Sequence, residues 1–328
     1  MDKKIVEELK KPSSYPYKVK TTDFVETHIS WIYLAGDYVY KVKRPVEFSF
    51  LDFSTLEKRK EHCENELELN RRLVRDMYLD VVPIVKEGKD YCFEGEGTPI
   101  EYAVKMKRMP EEKRMDLLLE KGEVSRADVE NIAVRIAKFH AIVRTITDRS
   151  YGSPELINEQ TEDLKRHINT IEKAAKVGKK AEDALSRCRR FHDRKYMTFY
   201  RRQMTGMIKE CHGDLHSANV FLVDKPYIFD CIEFNRDFRY IDVASEIAFM
   251  AMDLDAFGRE DLSRAFVKRY TALTGYREML TILDYYKCYR ANVRAKIAAI
   301  EYAQKPNADS KKRIAKYVNL MEKYAKRL

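Results

Sequence analysis

Three oxygen-bearing side chains stand close together between Glu210 and Asn235, in the run ECHGDLHSANVFLVDKPYIFDCIEFN. Asp214 and Asn219 lie in His212-Gly213-Asp214-Leu215-His216-Ser217-Ala218-Asn219, and Asp230 follows eleven residues after Asn219. Between them Val220–Val223 reads as a short apolar strand, Asp224-Lys225-Pro226 as a turn, and Tyr227–Phe229 as a second strand that delivers Asp230. Phosphoryl transfer uses such a set. One carboxylate orients or accepts the proton of an attacking hydroxyl, while an amide oxygen and a second carboxylate hold Mg²⁺ on the phosphates of ATP. Asp214 suits the first task, as catalytic base. Asn219 and Asp230 suit the metal, because both offer hard oxygen ligands. His212 is expected to support the loop.

The Asp-to-Asn spacing equals that of the protein-kinase catalytic loop, HRDxxxxN, with Gly213 in place of the arginine. HGDLHxxN followed by a hydrophobic residue and Asp resembles the signature of the aminoglycoside phosphotransferase and choline kinase superfamily. More narrowly, SFLDFSTLEKR, ELELNRRL, HGDLHSANV and IFDCIEFN look like the aminoglycoside-phosphotransferase-like domain that some bacteria fuse to a P-loop kinase domain. No GxxxxGK[ST] occurs here, so the expectation is the first domain without the second. The resemblance spans most of residues 20–305. It implies an α+β, bilobal protein-kinase-like fold with a small antiparallel-sheet N-lobe and a larger, mostly helical C-lobe. ATP and Mg²⁺ would sit between the lobes.

Elements upstream must supply the rest of a nucleotide site. Asp23–Arg44 reads as two or three strands, with a turn at Gly36-Asp37. Lys41 lies in the apolar strand after that turn and can pair with phosphate oxygens; Lys43 faces the same side, since side chains alternate. Lys41 is preferred because Lys43-Arg44-Pro45 marks the strand end. The preceding loop, Glu26–Ser30, offers His28 and Ser30 as phosphate contacts. Ser54-Thr55-Leu56-Glu57 reads as a capping box opening a helix to about Val74. The family pattern selects Glu66 on that helix as partner of Lys41, with Glu64 and Glu68 as competitors. Strands are expected at 81–85, 90–93 and 102–108; the resemblance implies that the last of these links the lobes and binds adenine through its backbone, which makes Met106 and its neighbours hinge candidates.

After Pro110 the periodicity turns helical. A helix capped at Ser125 runs to about Ile146 and carries His140 as a packed core residue. Residues 154–209 form a long charged helical segment. Asp242 reads as an N-cap, Glu233 as a partner behind the metal, and Tyr285, Tyr286, Tyr289, Arg290 and Arg294 as an Arg-Tyr cluster able to hold an acceptor. The domains are therefore expected at 1–109, β-rich and nucleotide-binding, and at 110–328, carrying the catalytic loop and the acceptor region.

Composition fits this reading. The chain has 328 residues, 45% hydrophobic and 35% charged, enough for a sizeable core under a charged surface. MDKKIVEELKK is too charged for a signal peptide and no apolar run reaches membrane-spanning length, so a cytoplasmic protein with no membrane partner is expected. Six scattered cysteines without CxxC point to buried thiols. The net charge of +9 is spread along helices with clustering at Arg189–Arg202 and Lys311–Arg327, without an aromatic-interleaved motif, so nucleic acid is not the expected partner. The expected partner is a small molecule bearing a hydroxyl (a sugar, amino sugar or related alcohol), and the chain would be a kinase for it. A regulatory nucleotide-binding module without turnover, or a pseudokinase, is the alternative. A protein kinase fits less well, for DFG and APE are lacking. Oligomeric state has no signal here.

Overall fold

In the computed structural model, residues 1–48 and 51–328 are described. Ser49 and Phe50, part of the SFLDFSTLEKR segment, lie outside them. The chain divides into two compact units. One comprises Met1–Lys113 with Tyr227–Arg236, the other Arg114–Pro226 with Asp237–Leu328. The expected boundary at 109/110 takes no account of the later stretch that joins the first unit.

The first unit opens with α1 (Lys3–Glu8) and continues through β1 (Thr22–Glu26), β2 (Ser30–Ala35) and β3 (Tyr38–Lys43). After the two-residue strands β4 (Glu47–Phe48) and β5 (Leu51–Asp52) comes the long helix α2 (Leu56–Val74). Then follow β6 (Tyr78–Glu87), β7 (Asp90–Phe93) and β8 (Pro99–Lys107). Six strands make an antiparallel sheet in the order β1-β2-β3-β8-β6-β7, so the stretch Asp23–Arg44, read as two or three strands, holds three. The turn Thr27–Ile29 separates β1 from β2 and is closed by Thr27 Oγ1 accepting the Ser30 amide at 2.9 Å. The two sheet faces follow from period-two alternation. Trp31, Tyr33, Ala35, Tyr40, Val42 and Ala103 pack with Val6, Leu9 and Tyr15 into the core of one face. The register Tyr33↔Tyr40 and Ile32↔Lys41 therefore leaves Ile32, Leu34, Val39, Lys41 and Lys43 on the other.

Helix α2 lies against β6 and β8. Its N-cap is Thr55, accepting from Lys58 N, whereas Ser54 turns back to hydrogen-bond Asp52; the expected capping box does not form, because the position three residues after Thr55 is a lysine.

The second unit is helical apart from short strands. It contains α3 (Met115–Glu120), α4 (Arg126–Ile142), α5 (Pro154–Glu162), α6 (Ile168–Ala175) and α7 (Gly178–Met204). Next come β9 (Ile208–Glu210), β10 (Val220–Leu222), β11 (Pro226–Ile228), within which the chain leaves for the first unit, and β12 (Tyr240–Asp242). It closes with α8 (Val243–Ala256), α9 (Glu260–Thr274), α10 (Leu283–Gln304) and α11 (Ala308–Ala325). Helix α4 has a true capping box between Ser125 and Asp128, yet it stops at Ile142, short of the expected Ile146. α8 is buried all round from Val243 to Leu254, as a central core helix must be. α9 and α10 pack on it, and α11 packs on α10. Among the described residues no helix is long and apolar enough to cross a membrane. Cys63, Cys188, Cys211, Cys231 and Cys288 are buried, and burial pushes the Cys63 thiol up to about 12.

Candidate active site

In the first unit a lysine, a glutamate and an aspartate meet. Lys41 Nζ lies 2.8 Å from Glu66 Oε1 and 2.6 Å from Asp230 Oδ1. Burial alone would lower the Lys41 ammonium, but the Asp230 and Glu66 carboxylates reverse this and hold it well above its ordinary value. Glu66 is fully buried and holds two lysines, one on each oxygen: Lys41 and Lys43. Burial works to raise its carboxyl, and the two ammonium groups overcome that and bring it down to about 2. Lys43, also fully buried, is further paired with Glu233. Burial raises the Glu233 carboxyl; Lys43 opposes the rise, and the negative charge of Glu66 adds to it. The two inward lysines thus differ. Lys43 is sealed between two acids, whereas Lys41 keeps 14% of its side chain exposed and Asp230 keeps 42%.

The position of Asp230 is fixed by backbone. Its φ of 64° is left-handed, a conformation that Asp tolerates better than most residues. Its amide donates to the Tyr78 hydroxyl at 3.2 Å, and the next amide, of Cys231, donates to Asn70 Oδ1 at 2.9 Å. Asn70 in turn donates to the Glu66 carbonyl at 2.8 Å, so α2 sets both Glu66 and the Asp230 segment.

Met106 is buried on the Lys41 face of the sheet, since Val39↔Met106 and Lys41↔Val104 are register partners. Its backbone lies between β3 and β6, opposite Val39 and Tyr78, and so is spent in the sheet; what it offers is its side chain. Ile32 and Val39, half-buried on the same face, join it as apolar residues that sequence reasoning did not single out. His28 is exposed in the β1–β2 turn. Ser30, opposite Lys43, is buried, and its hydroxyl has no hydrogen-bond partner among the described residues.

The second unit holds Asp214 and Asn219. The Asn219 amide nitrogen donates to both the carbonyl and Oδ2 of Asp214, at 3.0 Å each. Both hydrogens of that NH₂ are thereby used, which leaves the amide oxygen as the free end. His216 Nε2 lies 3.3 Å from the same Oδ2. Burial would raise the Asp214 carboxyl, but His216, Arg294 and His212 together hold it well below the usual carboxylate range. Asp214 retains 35% of its side-chain exposure, and among the described residues the hydrogen bond and ion pair of its carboxylate both fall on Oδ2.

This loop is suspended from α8. β9 pairs with β12 in the register Tyr240↔Glu210 and Asp242↔Ile208, which brings the start of the loop beside the start of the helix. Asp242 caps α8 and is gripped by Arg202 through two bonds of 2.7 Å. From the first turn of α8, Glu246 accepts the amides of His212 at 3.1 Å and Gly213 at 2.7 Å. Seven residues later, Asp253 accepts the Ser217 amide at 2.8 Å as well as its hydroxyl. Residues seven apart share a helix face and stand about 10 Å apart, so the two acids clamp the loop on either side of Asp214. Gly213 has φ 91°, which a side chain would strain; this accounts for glycine where protein kinases carry arginine. His140 is more than packed: Nε2 meets Glu246 at 3.0 Å and Nδ1 meets the Tyr270 hydroxyl at 2.7 Å, beneath the clamp. His140, Cys211 and Glu246 have ligand atoms within 4.8 Å of one another, but each already has a protein partner.

Magnesium can be tested against these donors. The free amide oxygen of Asn219 and the half-exposed carboxylate of Asp230 are hard ligands of the type Mg²⁺ selects. Of the Arg-Tyr cluster, Tyr285 and Tyr286 are core residues, while Arg290 and Arg294 face the loop region. The carboxylates Glu246 and Asp253 of α8 carried no local signal strong enough to be chosen in advance; Lys43 was weighed only as the alternative to Lys41, and Arg290, read as an acceptor contact, instead braces the loop through the Gly213 carbonyl.

No protein-family model matches the chain. It is 31% identical over 295 residues to the uncharacterized proteins Mb2027c of Mycobacterium bovis and Rv2004c of Mycobacterium tuberculosis. The match covers 87% of this chain and 56% of each relative, so the chain spans about half the length of the curated relatives it matches. Among solved structures it is similar to the choline kinase of Cryptosporidium parvum, with TM-score 0.58 and 9% identity, covering 99% of this chain and 95% of that one. It is similar also to the Plasmodium vivax ethanolamine kinase, with TM-score 0.51 and 10% identity over 92% of this chain and 81% of that one. A choline/ethanolamine kinase family protein of Mesorhizobium loti gives TM-score 0.51 and 9% identity over 93% and 88%. The six-stranded antiparallel sheet followed by helices is thus the kinase-like fold that the motif implied, shared with the choline and ethanolamine kinases.

Proposed function

We propose that the chain is an ATP-dependent phosphotransferase that moves the γ-phosphoryl group to a hydroxyl of a small molecule. The observation that carries this reading is the Lys41 ammonium held between Glu66 and the half-exposed Asp230. A cation so fixed suits the α- and β-phosphates, and the carboxylate beside it suits the metal they carry. Asn219 would supply the second metal ligand through its amide oxygen. Mg²⁺, when bound, neutralises charge on the phosphate oxygens. Asp214, kept ionised, orients the acceptor hydroxyl and takes its proton. Met106 would meet the base through its side chain, and His28 and Ser30 lie in the turn that would border the phosphates. Catalysis by such a set is positioning and electrostatic stabilisation, with no covalent enzyme intermediate. Cytoplasmic residence accords with ATP as donor.

ADP release from Mg-ATP across a library of sugars and alcohols tests the reading. Asp214→Ala should abolish turnover while nucleotide binding, followed by fluorescence or calorimetry, survives. Equal turnover by both proteins would remove Asp214 from its role.

A further inference from the structure

The neighbourhood of Asp214 in the helical unit is cationic. Arg290 is committed: it donates to the Ser245 carbonyl and hydroxyl and to the Gly213 carbonyl, each at 3.2 Å, and stacks over Phe249 at 4.8 Å. One helical turn on, along the same face of α10, stands Arg294. Among the described residues its one hydrogen bond is a long one, 3.4 Å from Nε to the Tyr317 hydroxyl. No carboxylate lies within 4.0 Å of its guanidinium among the described residues. It is half-buried, and its charge acts on Asp214, second to His216 in opposing the effect of burial there.

Helix α11 brings two further cations. Arg313 is engaged by Glu301 and by Asp309, the latter at 3.0 Å. Lys316 is not engaged by any acid within 4.0 Å among the described residues; its ammonium lies 4.8 Å from the Phe257 ring and 5.7 Å from that of Tyr317. The acid with most influence on Lys316 is Asp253, whose Oδ2 is already spent on Ser217. Arg294 repels Lys316, and among the described residues neither has an acid within 4.0 Å: Asp253 acts on both, and Asp214 on Arg294, from farther off. An anion there would receive charge-assisted hydrogen bonds and relieve the repulsion, whereas a polycation would add to it.

We propose that the hydroxyl presented to Asp214 belongs to an anionic alcohol, whose carboxylate or phosphate group docks on Arg294 and Lys316; this rests on the phosphotransferase reading above. The cationic acceptors choline and amino sugars are disfavoured by the same charges.

The test has a kinetic and a binding arm. ADP release is measured with matched alcohols: glycerol, choline and glucosamine against glycerate, gluconate and glycerol 3-phosphate. The anionic members should show the higher kcat/KM. Arg294→Gln should raise their KM about ten-fold or more and change kcat much less, while Arg294→Lys restores part of the loss. Separately, glycerate or glycerol 3-phosphate without nucleotide should raise the Tm of the full chain but not that of the Arg294→Gln, Lys316→Gln double variant. Which of the two anions acts distinguishes a carboxylate from a phosphate acceptor. A neutral or cationic best acceptor, indifferent to Arg294, overturns the proposal and leaves phosphotransfer standing. Absence of any anion-induced Tm shift in the wild type overturns it as well. Arg294-dependent anion binding with no ADP release from any alcohol would uphold the anion site and overturn the phosphotransferase reading.

Discussion

Lys41 and Lys43 are two residues apart on one strand face, and they should fail differently. Lys43 is enclosed with Glu66 and Glu233, so Lys43→Met leaves two buried acids without one of their cations. Removing one partner of such a pair costs about 3–5 kcal/mol, and the denaturant midpoint should fall accordingly. Lys41→Met leaves Glu66 still paired to Lys43, and Asp230 can turn to solvent. Its loss of stability should be smaller, with the damage appearing in nucleotide affinity. A reversed pattern in paired melts and ATP titrations would exchange the two assignments. Lys41, Glu66 and Asp230 were legible as residue types in a familiar spacing. Lys43 was legible only as a strand-end lysine, because nothing local distinguishes a lysine that will meet an acid 190 residues later.

At the scale of elements, α8 is the template for the loop. Glu246 and Asp253 sit in a run of apolar residues, where a sequence reading sees only charged positions on a helix. Their partners, the amides of residues 212, 213 and 217, leave no trace in composition, and so the clamp was invisible while the loop itself was plain. Burial opposes the charge on Glu246, but the bond and charge of His140, followed by His212 and the Gly213 amide, bring its carboxyl down to about 2. A depressed folded-state value means that the stabilisation is fully present above the unfolded value near 4.3 and is lost as pH falls toward 2. The shift corresponds to about 3 kcal/mol. Glu246→Gln should therefore lower stability at pH 7 and flatten its fall between about pH 5 and pH 2. Parallel pH-dependent urea midpoints for wild type and variant would refute this.

At the scale of the whole chain, strands before Pro110 and helices after it followed from periodicity, and they positioned the motif correctly in outline. Whether Asp23–Arg44 held two strands or three stayed open because Thr27–Ile29 lacks the Gly or Pro that marks a turn; a side-chain bond from Thr27 does that work instead. The net charge of +9 read as a diffuse surface property, yet Arg294, whose charge acts on Asp214, and Lys316 have no acid within 4.0 Å among the described residues. The fold is shared with choline and ethanolamine kinases at about a tenth sequence identity, and a shared fold does not fix function.

The sheet unit borrows Tyr227–Arg236 from late in the chain, and with it Asp230 and Glu233. A gene cut after codon 113 would therefore yield a fragment with two inward ammonium groups and one acid to share. Such a fragment should stay unfolded by circular dichroism, and a peptide spanning 227–236, supplied in trans, is the piece with the chemistry to rescue it.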